Sequence, residues 1–112
     1  MFRPGADPNH IEPSDVLCDF CHSPWTDDRP MIEGHQGSVI CGGCLAVAYA
    51  EVVLASNSTA PEGYKCRMCL ETRDEPAWAS PLDDSVVVCE RCLKLGAKTL
   101  EKDPDYGWRR PG

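Results

Sequence analysis

The sequence has no long apolar run. No segment approaches the eighteen consecutive apolar residues of a membrane span, and the first residues carry no apolar stretch of signal-peptide length. We therefore expect a cytoplasmic protein that does not associate with membranes. In a reducing compartment, closely spaced cysteines more often bind metal than form disulfides.

Signatures of catalysis are also missing. The chain holds three histidines, and none forms a recognisable catalytic constellation with a serine or a carboxylate. The phosphate-binding pattern Gly-x4-Gly-Lys-Ser/Thr is absent, because Gly96–Thr99 lacks the upstream glycine and the preceding strand. We expect a protein that is not an enzyme.

The chain has fewer basic residues than acidic ones, 11 against 18. The formal net charge is -7, and two tetrathiolate zinc sites would make it -11, since eight protons leave and two Zn2+ ions enter. Such a surface repels phosphate backbones, so nucleic-acid binding is disfavoured. The alternative is a basic face in the second half of the chain, made of Arg67, Arg91, Lys94, Lys98 and Lys102, with Arg109 and Arg110 nearby.

The chain is rich in cysteine, and its eight cysteines form a repeat. Two Cys-x2-Cys pairs, Cys18, Cys21, Cys41 and Cys44, recur forty-eight residues later as Cys66, Cys69, Cys89 and Cys92. Apolar positions repeat at the same offset: Phe20 aligns with Met68, and Leu45 with Leu93. A repeat in both ligands and core positions predicts two copies of one structural unit.

The repeat divides the chain into five segments. We predict a disordered arm over 1–15, a first zinc-binding repeat over 16–56, a linker over 57–63, a second repeat over 64–103 and a flexible tail over 104–112. Units of about forty residues rarely bury enough apolar area to fold without disulfides or a bound metal. Here we expect a bound metal to stabilise each unit.

The same order of local structure is predicted in both repeats: a tight cysteine turn, a hairpin and a helix. In the first repeat the elements are a short strand and turn at Val16–Cys21, strands at Met31–Glu33 and Ser38–Ile40, and a helix from Leu45 to about Ala55. In the second they are strands at Trp78–Ser80 and Val86–Val88 and a helix that ends near Lys102. The fold class is small, metal-stabilised α+β.

Four cysteines in two Cys-x2-Cys pairs are typical of a closed tetrahedral zinc site, so we predict two Zn2+ ions for each chain. Iron in a rubredoxin-like site, which uses the same ligands, is an alternative interpretation of these cysteines. A disulfide framework is another. Sequential sites, one in each repeat, are favoured over cross-braced sites that would combine Cys18 and Cys21 with Cys66 and Cys69.

The order of turn, hairpin and helix resembles a treble-clef zinc finger. Cys18-x-Phe20-Cys21, Ile32–Gly34 and Ser38–Leu45 are also similar to the N-terminal zinc-binding domain of ClpX-type unfoldase chaperones. The second repeat is less similar, with Leu82 at the position of Gly34. The resemblance implies a dimerising adaptor that binds adaptor proteins and substrates. It implies no ATPase.

The first predicted helix is apolar on almost every side, and a forty-residue unit cannot bury it alone. We expect it to pair with the second repeat in a pseudo-two-fold unit, or with another chain, through Leu45, Val47, Tyr49, Val52 and Leu54. The predicted function is a zinc module for protein–protein interaction. The alternatives are nucleic-acid binding and a thiol redox switch with releasable zinc.

Overall fold

The regular elements of the protein follow the cysteine repeat. The computed structural model describes all 112 residues. Each repeat contributes one antiparallel hairpin and one helix: β1 (Met31–Glu33), β2 (Val39–Cys41), α1 (Gly42–Tyr49), β3 (Ala77–Ala79), β4 (Val87–Cys89) and α2 (Glu90–Glu101). One wider π-helical turn, Ala50–Leu54, continues α1, and short 3-10 turns lie at Pro13–Asp15 and His35–Gly37.

Apolar residues face each other across both hairpins. Ile32 lies opposite Ile40 in the first, and Trp78 opposite Val88 in the second. The strands β2 and β4 are buried along their whole length, as expected for β-branched residues that lead directly into a cysteine. They carry the third ligand position of each repeat to the start of the following helix.

The two Cys-x2-Cys turns have the same backbone hydrogen bonds. The Cys18 carbonyl accepts from the N–H of His22 at 2.8 Å, and the Cys66 carbonyl accepts from Leu70 at 2.8 Å. His22 and Leu70 both adopt the left-handed conformation, with φ of 62° and 61°. The predicted strand at Val16–Cys21 is reduced to single bridges between this segment and its neighbours.

The helices α1 and α2 pack against each other through small residues. Leu45 lies over Gly96, whose hypothetical Cβ would be 3.4 Å from the nearest Leu45 methyl group. Ala48, at the repeat position of Gly96, is fully buried. Small residues at the crossing let the two backbones approach closely.

Each repeat also contacts the cysteine turn of the other. The His35 N–H donates to the Met68 carbonyl at 2.9 Å, and the Ser80 hydroxyl donates to the Phe20 carbonyl at 2.5 Å. Phe20 and Met68 occupy the same repeat position, so the contacts are reciprocal. A further pair, Asp19 and Arg67, joins equivalent positions of the two turns at 3.7 Å.

One apolar core spans both repeats. Twenty buried residues, drawn from both hairpins and both helices, form a single cluster. The radius of gyration, 13.6 Å, is close to the roughly 13 Å of a folded chain of this size. The protein is therefore a small, compact α+β structure with two short antiparallel sheets and two helices. Neither helix has the length and apolarity that a membrane span requires.

The helix α1 with its following turn is largely covered within the chain. Leu45, Tyr49 and Val52 are buried, whereas Val47 and Leu54 are 54% and 52% exposed. The second repeat thus covers one side of this apolar segment.

The flanking segments also have contacts. Phe2 bridges to Val16, and Trp108 reaches Gly42 of α1. The division into an arm (1–15), two repeats, a linker and a tail (104–112) stays a prediction.

Candidate metal centres

The eight cysteines meet in two groups of four. The sulfurs of Cys18, Cys21, Cys41 and Cys44 all lie within 4.8 Å of one another, and so do those of Cys66, Cys69, Cys89 and Cys92. Each group lies within one repeat, so the arrangement is sequential and not cross-braced. The metal-ligand role of these residues stays a prediction that the geometry can test for fit.

The spacing of the sulfurs fits a tetrahedral ion. A Zn–S distance of about 2.3 Å gives sulfur–sulfur edges of about 3.8 Å. The Cys21–Cys41 Sγ separation is 3.7 Å, and in the second group Cys66–Cys92 and Cys69–Cys89 are 3.8 and 3.9 Å apart. All eight cysteines are free, at distances far beyond the roughly 2.05 Å of a disulfide.

Backbone N–H groups surround the inner sulfurs. The Cys18 sulfur accepts from the N–H of Phe20 at 3.4 Å and of Cys41 at 3.3 Å. The Cys66 sulfur accepts from Cys69 at 3.5 Å and from Cys89 at 3.4 Å. Such donors stabilise anionic sulfur, which is the form that binds metal.

The start of each helix supplies the remaining ligand positions. Cys41 caps α1, and its sulfur accepts from the Cys44 N–H at 3.4 Å. Cys89 and Cys92 occupy the same positions at the start of α2. The positive end of a helix dipole favours negative charge at these sites.

Hydrogen bonds between the sulfurs of each group lower the pKa of one thiol and raise the pKa of another. Hydrogen bonds from Cys18 and Cys44 lower the pKa of Cys41 to about 3, and the Cys44 thiol, whose proton is shared, has a raised pKa. In the second group, hydrogen bonds from Cys89 and Cys92 lower the pKa of Cys66. A divalent cation binds thiolates and displaces the thiol protons.

The two groups differ in one neighbouring side chain. Arg73 lies beside the second group, and its interaction with Cys69 is the main cause that raises the pKa of this arginine. The residue at the same repeat position beside the first group is Trp25. Arg73 was not predicted from the sequence, because its contact with Cys69 depends on how the loop before β3 folds back.

No family model, curated protein sequence or solved structure matches the chain. The two four-cysteine clusters indicate two zinc-binding sites on the donor chemistry and spacing alone. The similarity to the ClpX-type zinc domain stays a hypothesis drawn from the sequence.

The histidines take no part in either group. His22 and His35 are exposed, as is His10, and both clusters consist of cysteine only. Four protein sulfurs would saturate a tetrahedral ion and leave no position for water or substrate. A zinc ion held in this way would have a structural role.

Proposed function

We propose that this protein is a non-enzymatic zinc-binding module for protein–protein interaction. Each repeat would hold one Zn2+ through its four cysteines, and the turn, hairpin and helix of each repeat would form a treble-clef finger. The interaction surface would lie on α1 and its following turn, as in an adaptor of the ClpX zinc-domain type.

The observation that carries this proposal is the exposed apolar strip on α1. Val47 and Leu54 lie two helical turns apart and are each more than half exposed. Exposed apolar residues that line up along one helix are typical of docking surfaces. Leu45, Tyr49 and Val52, which were also predicted from the sequence to form the interaction surface, are buried and lie outside this strip.

Nucleic-acid binding has less support. Three of the basic residues selected for it are paired with the chain's own carboxylates: Arg67 with Asp19, Lys94 with Glu90, and Arg110 with Glu101. The net charge of -7 acts in the same direction. A redox switch has no specific support, because the clusters contain no cysteine beyond the four that a zinc ion would bind.

The proposal can be tested by photocrosslinking from α1 in cells that produce the protein. Val47 is replaced by p-benzoylphenylalanine in one variant. In the matched control the same replacement is made at Leu82, which is 58% exposed but lies in the turn between β3 and β4. We expect adducts with protein at position 47 and few at position 82.

Native mass spectrometry of the purified chain separates self-association from binding of another protein. It also counts the metal ions, and two zinc ions are expected for each chain. Nucleic-acid adducts, or no adducts at position 47, would show that the proposed function is wrong.

A further inference from the structure

The segment 106–112 contacts α1 through Trp108 and Arg110. Side chains of this segment alternate in burial: Tyr106, Trp108 and Arg110 are half-buried, whereas Gly107 and Arg109 are exposed. We call residues 106–112 the strap.

Trp108 fixes the strap at the start of α1. Its indole Nε1–H donates to the Gly42 carbonyl at 3.0 Å. A Cβ at Gly42 would lie 3.0 Å from Trp108 Cδ1 and 3.2 Å from Pro30, so the indole sits where a side chain would otherwise be. Gly43, the next residue, has no such neighbour, because its Cβ would meet only the Cys41 sulfur at 3.9 Å.

Arg110 fixes the strap one to two turns further along. Its Nε–H donates to Glu101 Oε1 at 2.8 Å, and its guanidinium also reaches the Tyr49 hydroxyl at 3.3 Å. The guanidinium carbon lies 5.6 Å from the centre of the Tyr49 ring, in cation–π geometry. The hydrogen bonds from Arg110 hold the pKa of Glu101 below its usual range.

Electrostatic attraction also favours the position of the strap against the rest of the chain. The strap carries two arginines and no acidic residue, so it contributes +2, and the other 105 residues carry -9. A basic segment therefore lies on an acidic body, with Arg110 between Glu101 and an aromatic ring.

We propose that this side of α1 is a recognition groove for an extended peptide with an aromatic residue two positions before an arginine. The groove is made of Gly42, Tyr49, Leu54 and Glu101. The strap is its intramolecular occupant, and a protein partner that carries the same two side chains in an exposed segment competes with it. The inference rests on the proposed interaction function and names the chemistry of the partner.

The groove predicts binding in trans. The probe is a fluorescein-labelled peptide with the sequence of residues 106–112, and the protein is the full zinc-loaded chain. A segment joined to its own site by a short linker acts at an effective concentration of about millimolar. The wild-type groove is therefore occupied, and the double variant Trp108→Ala/Arg110→Ala exposes it.

By fluorescence anisotropy, we expect saturable binding to the double variant and binding at least tenfold weaker to the wild type. A peptide with the change Arg110→Ala should lose at least tenfold in affinity, whereas a peptide with the change Arg109→Ala, of equal charge, should lose less than threefold. No binding to the double variant, or equal loss for both peptides, would overturn the proposal.

A single variant keeps the test valid if the double variant does not fold. Arg110→Gln preserves most of the side-chain volume and should still admit the peptide. In the double variant background, Gly42→Ala should reduce peptide affinity, whereas Gly43→Ala should not. If the folded Arg110→Gln chain binds no better than wild type, the groove is refuted.

The two proposals can fail separately. Absence of peptide binding overturns the groove, whereas absence of adducts at position 47 overturns the proposed function. Exchange of straps between two copies would appear as a dimer whose fraction rises with concentration and falls on addition of the peptide.

Discussion

The two repeats have the same cysteine turn and the same ligand geometry, but their helices differ in character. α1 and the turn that follows it have one charged residue, Glu51. In α2, by contrast, buried apolar residues alternate with exposed lysines. The exposed residues of α2 are Arg91, Lys94, Leu95, Lys98 and Thr99. α1 is covered by the second repeat on one side and by residues 106–112 on another. Helix composition therefore reflects what lies against each helix, not the metal site that both share.

The largest expected effect comes from removing one metal site. Cys18→Ser and Cys66→Ser each remove a fully buried ligand. Because a single core spans both repeats, we expect either change to abolish cooperative unfolding of the whole chain. The loss should reach about 5 kcal/mol or more, the scale of the free energy of unfolding of a small domain.

Circular dichroism during urea titration, with metal counting by mass spectrometry, checks this prediction. Chelation of zinc from the wild type should give the same loss. If Cys66→Ser keeps one zinc ion and a cooperative transition near the wild-type midpoint, the two repeats fold independently.

Changes in the contacts between each hairpin and the opposite cysteine turn should lower the free energy of unfolding by a smaller amount. A Cβ at Gly34 would lie 2.8 Å from the Met68 carbonyl oxygen, so Gly34→Ala forces the repeats apart. We expect a loss of about 2 kcal/mol from this overpacking. Ser80→Ala removes the hydrogen bond to Phe20 and should cost about 1 kcal/mol.

Urea unfolding of both variants gives the two free energies. Gly63→Ala gives the cost of backbone strain without steric contact, because Gly63 has a φ of 73° and nothing lies within 4 Å. Gly34 has a φ of -111°, so its replacement adds only the steric contact. A Gly34→Ala variant as stable as wild type would contradict the close approach of the repeats.

A smaller effect of opposite sign is expected at the helix crossing. Gly96→Ala places a methyl group at ordinary contact distance from Leu45 and removes a helical glycine. It should raise the free energy of unfolding by about 0.5–1 kcal/mol. Ala48→Gly, the reverse change at the equivalent position, should lower it by about 1 kcal/mol. Thermal unfolding should show Tm shifts of opposite sign, and a lower Tm for Gly96→Ala would show that the crossing has no room.

The smallest expected change in stability distinguishes His22 from Leu70, the left-handed residues of the two cysteine turns. His22 is exposed, so His22→Gly relieves backbone strain without loss of packing and should stabilise by about 0.5 kcal/mol. Leu70 is half-buried, and Leu70→Gly should gain nothing, since it also loses apolar contact. Urea midpoints measured side by side test the difference. Equal gains in the two variants would mean that the Leu70 side chain contributes no packing.

Local patterns in the sequence predicted much of this structure. The first strand of the first hairpin has the predicted bounds, and the other three strands begin one residue from their predicted starts. The sequential grouping of the cysteines followed from the repeat, since each unit then has a complete tetrahedron. These features depend on residues that are close in the chain or related by the repeat.

Features that depend on distant residues were not predictable in the same way. The π-helical turn at Ala50–Leu54, which replaces the regular end of the expected helix, has no sequence signature of its own. The contacts of Trp108 with Gly42 and of Arg110 with Tyr49 join residues more than sixty positions apart. Only the folded chain brings them together.

The pairing of Asp19 with Arg67 has a consequence for how copies of this chain associate. The two residues occupy the same place in successive repeats, so a unit assembled from two first repeats would set two carboxylates against each other, largely out of water. Two second repeats would oppose two guanidinium groups. Like charges at such distances cost free energy, so only unlike repeats match. One inverted charge thus distinguishes the unlike repeat from an identical one.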